Sequence, residues 1–374
     1  MPQTTPPPTA AETTPTTPID AFPEATPSRK RKALDEAAGQ KAVKAVKPEA
    51  TSVVEQAKAL ATRAWTWAPS LRAWQRTATT DADETAGPTM PEAASFESML
   101  SDIGVGCNLD DPIHCGATTV VYYGECNSSG DAVAIKALKD MSSGGNAKVE
   151  ASFMREATLH AELKHPNVLW LHHFAASWPP AMVLELGDGT LLEYALHDGL
   201  QREPVVARFV KELAQGLAYL HGRGICHAAL DLENILMGTD GHLRIADFGA
   251  AFHETSTRVP QPAPATYPYW APEQFKPKPW GKTVDIWALG VITYELLMGD
   301  HPYTFTPLDE GHRPRADFER AMQTIRSMIE VKVNTCPVPE DVKDLLRGML
   351  EPQPEERICL EDILTHKWVR RHTD

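Results

Sequence analysis

The sequence predicts an α+β fold in two lobes, a small β-rich lobe followed by a larger, mainly helical one, behind a long non-globular leader. Three observations carry that expectation. Apolar runs at 119–124 and 132–138 meet across the turn formers Ser128-Ser129-Gly130-Asp131 and read as a strand pair. From about residue 190 onward the apolar spacing is mostly helical, apart from an irregular stretch between about 238 and 282. Residues 1 to about 50 are dominated by Pro, Thr, Ala and charged side chains, which bury too little apolar area to offset the entropy of ordering.

The leader has internal structure of its own. Residues 1–50 are expected to be disordered and contain the basic run Arg29-Lys30-Arg31-Lys32, which reads equally as a nuclear import signal or as a solvated charge cluster. Across 51–76, Val53, Ala57, Leu60, Ala64 and Trp67 share one helical face, with Trp65 and Trp74 nearby. That pattern predicts an amphipathic helix that docks onto a partner protein, a membrane surface or the folded part of this chain. A polar linker is expected at 77–99, and the folded domain at 100–374. Within it, the strand pair is followed by a helix from about Lys148 to Leu163 and by strands near 168–175 and 181–186.

Composition narrows the function classes. The chain has 374 residues, 42% of them hydrophobic, which is enough for a substantial core. A net charge of −14 argues against a nucleic-acid-binding surface. The six cysteines are scattered with no C-x-x-C pair and read as free thiols of a reducing, intracellular compartment, not as a disulfide or zinc framework. No apolar signal segment stands at the N-terminus, and the longest apolar run, around Ile286 to Met298, is too short to span a bilayer and carries Glu295.

Several motifs follow one another in order. They are Val133-Ala134-Ile135-Lys136, then Glu156 nine residues before His165-Pro166-Asn167, and the loop His227-Ala228-Ala229-Leu230-Asp231-Leu232-Glu233-Asn234. Asp247-Phe248-Gly249, Ala271-Pro272-Glu273, Asp285-Ile286-Trp287-Ala288-Leu289-Gly290 and Arg357 complete the set. Together they resemble a protein kinase domain over about residues 105 to 370. The stretch Ala265-Thr266-Tyr267-Pro268-Tyr269 resembles the serine/threonine form, not the tyrosine form.

The resemblance implies a two-lobed kinase fold and a site for ATP with Mg²⁺. Lys136 would pair with the α- and β-phosphates and with Glu156, while Asp247 and Asn234 would ligate the metal. Glu185 and Leu186 fall on the hinge whose backbone would bond the adenine edge, and Val121 and Ala134 fall where the family packs the purine ring. Arg357 would be the buried ion-pair partner of Glu273. No protein partner or substrate is legible.

The departures are concentrated where phosphate is transferred. The glycine-rich loop would fall on His114, Gly116 and Thr119, and only Gly116 is retained. His and Thr there are expected to stiffen and crowd the loop. In the catalytic loop Ala228 replaces Arg, and Ala229 stands in place of the proton-accepting Asp. Asp231 occupies the position of the Lys that approaches the γ-phosphate. The reading that follows is a catalytically impaired, ATP-binding pseudokinase that acts as scaffold or allosteric regulator in signalling, with weak or no activity. One alternative is an active atypical serine/threonine kinase using Asp231 as surrogate base or extra metal ligand. Another is a scaffold whose nucleotide pocket is filled by His114 and Thr119.

Overall fold

The computed structural model describes residues 93–139, 147–176, 179–199, 201–255, 264–276, 279–303 and 315–374. The leader, its basic run, the tryptophan-bearing segment 51–76 and the stretch 256–263 lie outside the described residues.

The smaller lobe begins with helix α1 (Ala93–Asp102) and continues through strands β1 (Val105–Cys107), β2 (His114–Cys115), β3 (Thr119–Cys126) and β4 (Ala132–Leu138). Helix α2 (Ala147–His160) and strands β5 (Leu171–Ala175) and β6 (Ala181–Glu185) complete it. The sheet runs β1-β3-β4-β6-β5, every pairing antiparallel, with β2 on the edge of β3. The turn at 128–131 joins β3 to β4 as the sequence predicts. Gly124 in β3 is required by packing, because a Cβ there would stand 2.6 Å from Ile135 Cδ1 and 2.9 Å from the Gly106 carbonyl oxygen.

Strand β4 is buried on both faces, and its alternation sorts two cores. Val133, Ile135 and Ala137 pack with Val120, Tyr122 and Val183 on one side. Ala134 and Leu138 pack with Phe153, Ala157, Met182 and Leu184 on the other, toward the larger lobe. Lys136 lies on that second face, which is why a lysine in an otherwise apolar strand points into the cleft.

Helix α1 takes up residues 93–99 of the expected polar linker at 77–99, the rest of which lies outside the described residues. Phe96, Met99, Leu100 and Ile103 repeat at helical spacing, and Phe96 is 0% exposed in the first of the two cores. The folded domain therefore starts before residue 100. The apolar stripe is short and lies beside polar sequence, which is why its periodicity is masked and the segment reads as linker.

The larger lobe follows β7 (Gly187–Thr190). It contains α3 (Leu191–Asp198), α4 (Glu203–Gly222), β8 (Ile225–Cys226), β9 (Ile235–Gly238), β10 (Leu243–Ile245) and β11 (Phe252–His253). After two 3₁₀ turns, Pro264–Tyr269 and Pro272–Phe275, come α5 (Thr283–Met298), α6 (Arg315–Thr335), α7 (Glu340–Met349), α8 (Leu360–Thr365) and α9 (Lys367–Thr373). Helix α3 is closed by a full capping box, with the Thr190 hydroxyl accepting from Glu193 N–H and the Glu193 carboxylate accepting from Thr190 N–H. Helix α5 is apolar nearly all round because it runs through the centre of the lobe, buried on almost every side. Gly216 lets α4 approach the segment after α2, since a Cβ would meet the Asn167 carbonyl oxygen at 2.9 Å.

Arg357 and Glu273 form the expected ion pair, doubly bonded at 2.6 and 3.1 Å and buried. A bidentate guanidinium–carboxylate contact is the geometry that makes such a pair tolerable inside a protein. The six cysteines all carry free thiols. Among the described residues no helix is long and apolar enough to cross a membrane.

Phe96→Ala should destabilise the folded domain by about 3–5 kcal/mol through lost burial and a residual cavity. Chemical denaturation followed by tryptophan fluorescence checks this. A change below about 0.5 kcal/mol would mean that α1 is not part of the cooperative core.

Candidate functional site

The cleft between the lobes gathers its charges from three elements. Lys136 on β4 donates from Nζ to Glu156 Oε1 on α2 at 2.7 Å, and to Asp247 Oδ1 at 3.3 Å. Asp247 Oδ1 also accepts the Gly249 N–H at 3.2 Å. Burial by itself favours the neutral amine of Lys136, but the two carboxylates outweigh it and hold the ammonium charged. Burial likewise pushes Asp247 up, yet Lys136 and the Gly249 N–H bring its carboxyl below the ordinary aspartate range. The side chain of Asp247 lies in the cleft and keeps 48% of its surface open to solvent.

Phe248 is the hinge pin of this arrangement. Its ring lies 4.7 Å from His160 on α2 and 5.2 Å, edge-on, from His227 at the start of the catalytic loop. The His160 ring accordingly touches the same helix face that presents Glu156. Its Nε2 donates to the Leu169 carbonyl at 2.7 Å, and burial lowers its pKa to about 4, so it stays neutral. The sequence motifs do not single out His160, although its position one turn after Glu156 is the signal that could have found it.

The catalytic loop is anchored from α5. Asp285, 1% exposed, accepts His227 N–H at 3.0 Å, Ala228 N–H at 2.8 Å and His221 Nε2–H at 2.8 Å. Burial works against its charge, but these donors keep the carboxyl below its usual range. Ala228 sits at φ 65°, a left-handed conformation that costs an L-residue energy and persists here because Asp285 holds its N–H. His227 Nε2 donates to the Ala246 carbonyl at 2.9 Å, tying the loop to the strand that leads into Asp247.

Ala229 offers a buried methyl where the family has a carboxylate. Its main chain remains in use, because its carbonyl accepts the Asn234 Nδ2–H at 2.8 Å. Asp231 is turned into its own loop. It is 7% exposed, and Oδ1 accepts Glu233 N–H at 3.0 Å and Asn234 N–H at 2.7 Å. Burial lifts its pKa to about 7, the two N–H bonds pull it down, and the charges of Glu233 and Asp247 push it up. As placed, Oδ1 is taken by two main-chain donors of its own loop.

The apolar slot is assembled from both lobes. Val121, Ala134 and Leu186, all expected from sequence, pack in one cluster with Leu184, Leu236 and Ala246, which were not. Leu236 is two residues beyond Asn234 on β9, and its direction is set by a strand that no clear sequence signal marks. Glu185 does not send its side chain to this slot. Its carboxylate takes the Arg244 Nε–H at 3.1 Å, and its main-chain N–H donates to the Trp170 carbonyl at 2.8 Å.

The glycine-loop region differs from expectation. Gly116 N–H donates to the Thr119 carbonyl at 2.9 Å and Lys139 Nζ donates to the Gly116 carbonyl at 2.6 Å, which closes a tight hairpin. Gly116 is not among the positive-φ residues, so the turn does not use a left-handed glycine there. His114 is exposed to solvent rather than packed into the slot, and Thr119 is half-buried. The alternative of a pocket filled by His114 and Thr119 finds no support at His114, which is exposed on the edge strand β2, paired with Val121.

These donors suit a nucleotide with Mg²⁺. Asp247 and the Asn234 side-chain oxygen are hard oxygen ligands, and Mg²⁺ is held by few protein oxygens together with phosphate. Among the described residues no group of three or more His, Cys, Asp or Glu could hold a metal ion.

The sheet-and-helix lobes, the Lys136–Glu156 pair, the Asp247-Phe248-Gly249 turn and the Arg357–Glu273 pair are those of a protein kinase. A family model of the protein kinase domain matches residues 109–369, and the chain belongs to that family. It is similar to the Aurora kinase of Schizosaccharomyces pombe, 31% identical over 286 residues, which cover 76% of this chain and 75% of that protein. It is also similar to Aurora kinase C of Mus musculus, 32% identical over 228 residues, with 60% and 78% covered. The serine/threonine-protein kinase Aurora-1 of Arabidopsis thaliana is 29% identical over 310 residues, with 80% and 96% covered.

One acid beside the site has a consequence for stability. Glu295 on α5 accepts the Tyr269 hydroxyl at 3.0 Å, and burial, with Asp231 nearby, lifts its pKa to about 8. Between the ordinary glutamate value of 4.5 and about 8, the folded state keeps a proton that the unfolded chain has released. Stability therefore falls as pH rises through that window. Glu295→Gln, which still accepts from Tyr269, should raise the melting temperature at about pH 8.5 and leave it nearly unchanged at about pH 4.5. Equal effects at both pH values in a thermal melt would refute this.

Proposed function

We propose that this chain binds ATP with Mg²⁺ and works as a scaffold or allosteric regulator, with phosphoryl transfer weak or absent. One observation carries the reading: the Lys136–Glu156–Asp247 charges are assembled beside a loop that has a methyl at 229 and an inward-turned acid at 231. Lys136 would receive the phosphates, and Asn234 and Asp247 would hold the metal. Bound Mg²⁺ would neutralise charge on the phosphate oxygens.

What the loop lacks is the second half of the chemistry. Phosphoryl transfer passes through a loose transition state, so catalysis is mostly positioning and electrostatic stabilisation. Ala229 cannot receive the proton of an attacking hydroxyl. Asp231 supplies no cation for the transferring group, and one of its two carboxylate oxygens, Oδ1, is bonded within the loop. The relatives are named as kinases, and descent from an active serine/threonine kinase accounts for the retained nucleotide side.

Two measurements test this. ATP with Mg²⁺ should raise the melting temperature of the full chain, and Lys136→Met should abolish most of that rise. Transfer of γ-phosphate to generic substrates should be near background, and Ala229→Asp combined with Asp231→Lys should raise it. Turnover by the unmodified chain at rates usual for protein kinases, about 1–100 per second, would overturn the proposal. Transfer lost in Asp231→Asn would favour the surrogate-base reading instead.

A further inference from the structure

Asp231 makes contacts in this structure that a surrogate base would not need. It stands where the family carries a lysine that reaches the γ-phosphate, yet its carboxylate is buried and bonds the N–H groups two and three residues further on. Both are main-chain donors that no strand or helix bond satisfies, so the carboxylate caps the end of the catalytic loop. The shorter of the two bonds, at 2.7 Å, goes to Asn234.

Asn234 is held at three places. Its N–H is taken by Asp231, its carbonyl by Ala246 N–H at 2.9 Å, and its Nδ2–H by the Ala229 carbonyl at 2.8 Å. An asparagine has one further polar atom, the side-chain oxygen, and that is the atom able to ligate a metal. The loop begins under strain at Ala228, where Asp285 holds it, and ends at Asn234, where Asp231 holds it. With Ala at 228 and 229, neither of those side chains offers a polar group that could fix the loop.

We propose that Asp231 is a positioning residue for the metal ligand Asn234: its buried carboxylate, in place of a lysine, pre-organises the asparagine oxygen for a nucleotide-bound divalent cation. The proposal rests on the Mg²⁺–ATP reading above and makes the change from lysine to aspartate part of nucleotide binding. Outer-sphere partners that orient a metal ligand typically contribute about 10–100-fold in affinity.

Calorimetric titration of the full chain with ATP, in Mg²⁺ and in EDTA, tests it. Asp231→Ala should weaken binding in Mg²⁺ by about tenfold or more and leave binding in EDTA within about twofold. Asp231→Asn, whose amide oxygen accepts the same N–H groups, should recover most of the loss. In an Asn234→Ala background, Asp231→Ala should add no further loss. Equal weakening with and without Mg²⁺, no weakening, or an Asn variant as poor as Ala would each overturn the proposal.

Failure of the nucleotide reading itself is distinguishable, because then the unmodified chain shows no ATP heat in either buffer. Amide hydrogen exchange of the nucleotide-free protein decides the matter in that case. Asn234 N–H should exchange about tenfold faster in Asp231→Ala than in Asp231→Asn. Equal exchange in the two variants would overturn the positioning role.

Discussion

The buried carboxylate of Asp285 is the contact on which the site depends. It accepts the main-chain N–H groups of His227 and Ala228 and the ring N–H of His221. Without it those donors would be buried and unpaired, at about 1–3 kcal/mol each, and the left-handed Ala228 would lose what holds it. From that point a chain of contacts runs upward. His227 meets Phe248, Phe248 meets His160, and His160 lies on the helix that brings Glu156 to Lys136. A carboxylate in the centre of the larger lobe thus sets the geometry of a lysine in the smaller one.

That chain explains how one half of the site survives erosion of the other. The contacts that place Lys136, Glu156 and Asp247 use the main chain at 227 and 228, the ring of His227 and the ring of Phe248. None of them uses the side chains missing at 228 and 229. Loss of the arginine and the proton acceptor therefore leaves the nucleotide side mechanically intact. The same logic applies to Ala229, whose carbonyl still holds Asn234 although its side chain does nothing polar.

The acids around the loop also form an electrostatic group. Burial raises both Asp231 and Glu295 toward neutral pH, and the charge of Asp231 adds to the rise at Glu295. Tyr269 joins them by donating to Glu295, which links the 3₁₀ turn Pro264–Tyr269 to α5. An arrangement in which the family's lysine has become an acid removes a cation from where a phosphoryl group would be transferred. That is unfavourable for transfer, while the oxygens of Asn234 and Asp247 that suit a metal are left in place.

The motifs were legible because chemistry demands particular residue types at particular spacings. Lys136 followed by Glu156, the Asp247-Phe248-Gly249 turn, Asn234, and the Arg357–Glu273 pair could all be read from one chain, and so could the two-lobed α+β fold. Helix α1 was hidden because four apolar residues beside a polar stretch are a weak periodic signal, and only the sheet they cover shows them to be core. The same limit applied to Leu236 and His160, which join the site through the packing of strands and helices distant in sequence. Asp231 shows the limit most clearly. Its identity announced that a lysine was gone, but whether the carboxylate faced a substrate, a metal or its own backbone depended on where folding placed its N–H donors. A side chain's chemistry is written in its residue type, whereas its direction is a property of the packed loop.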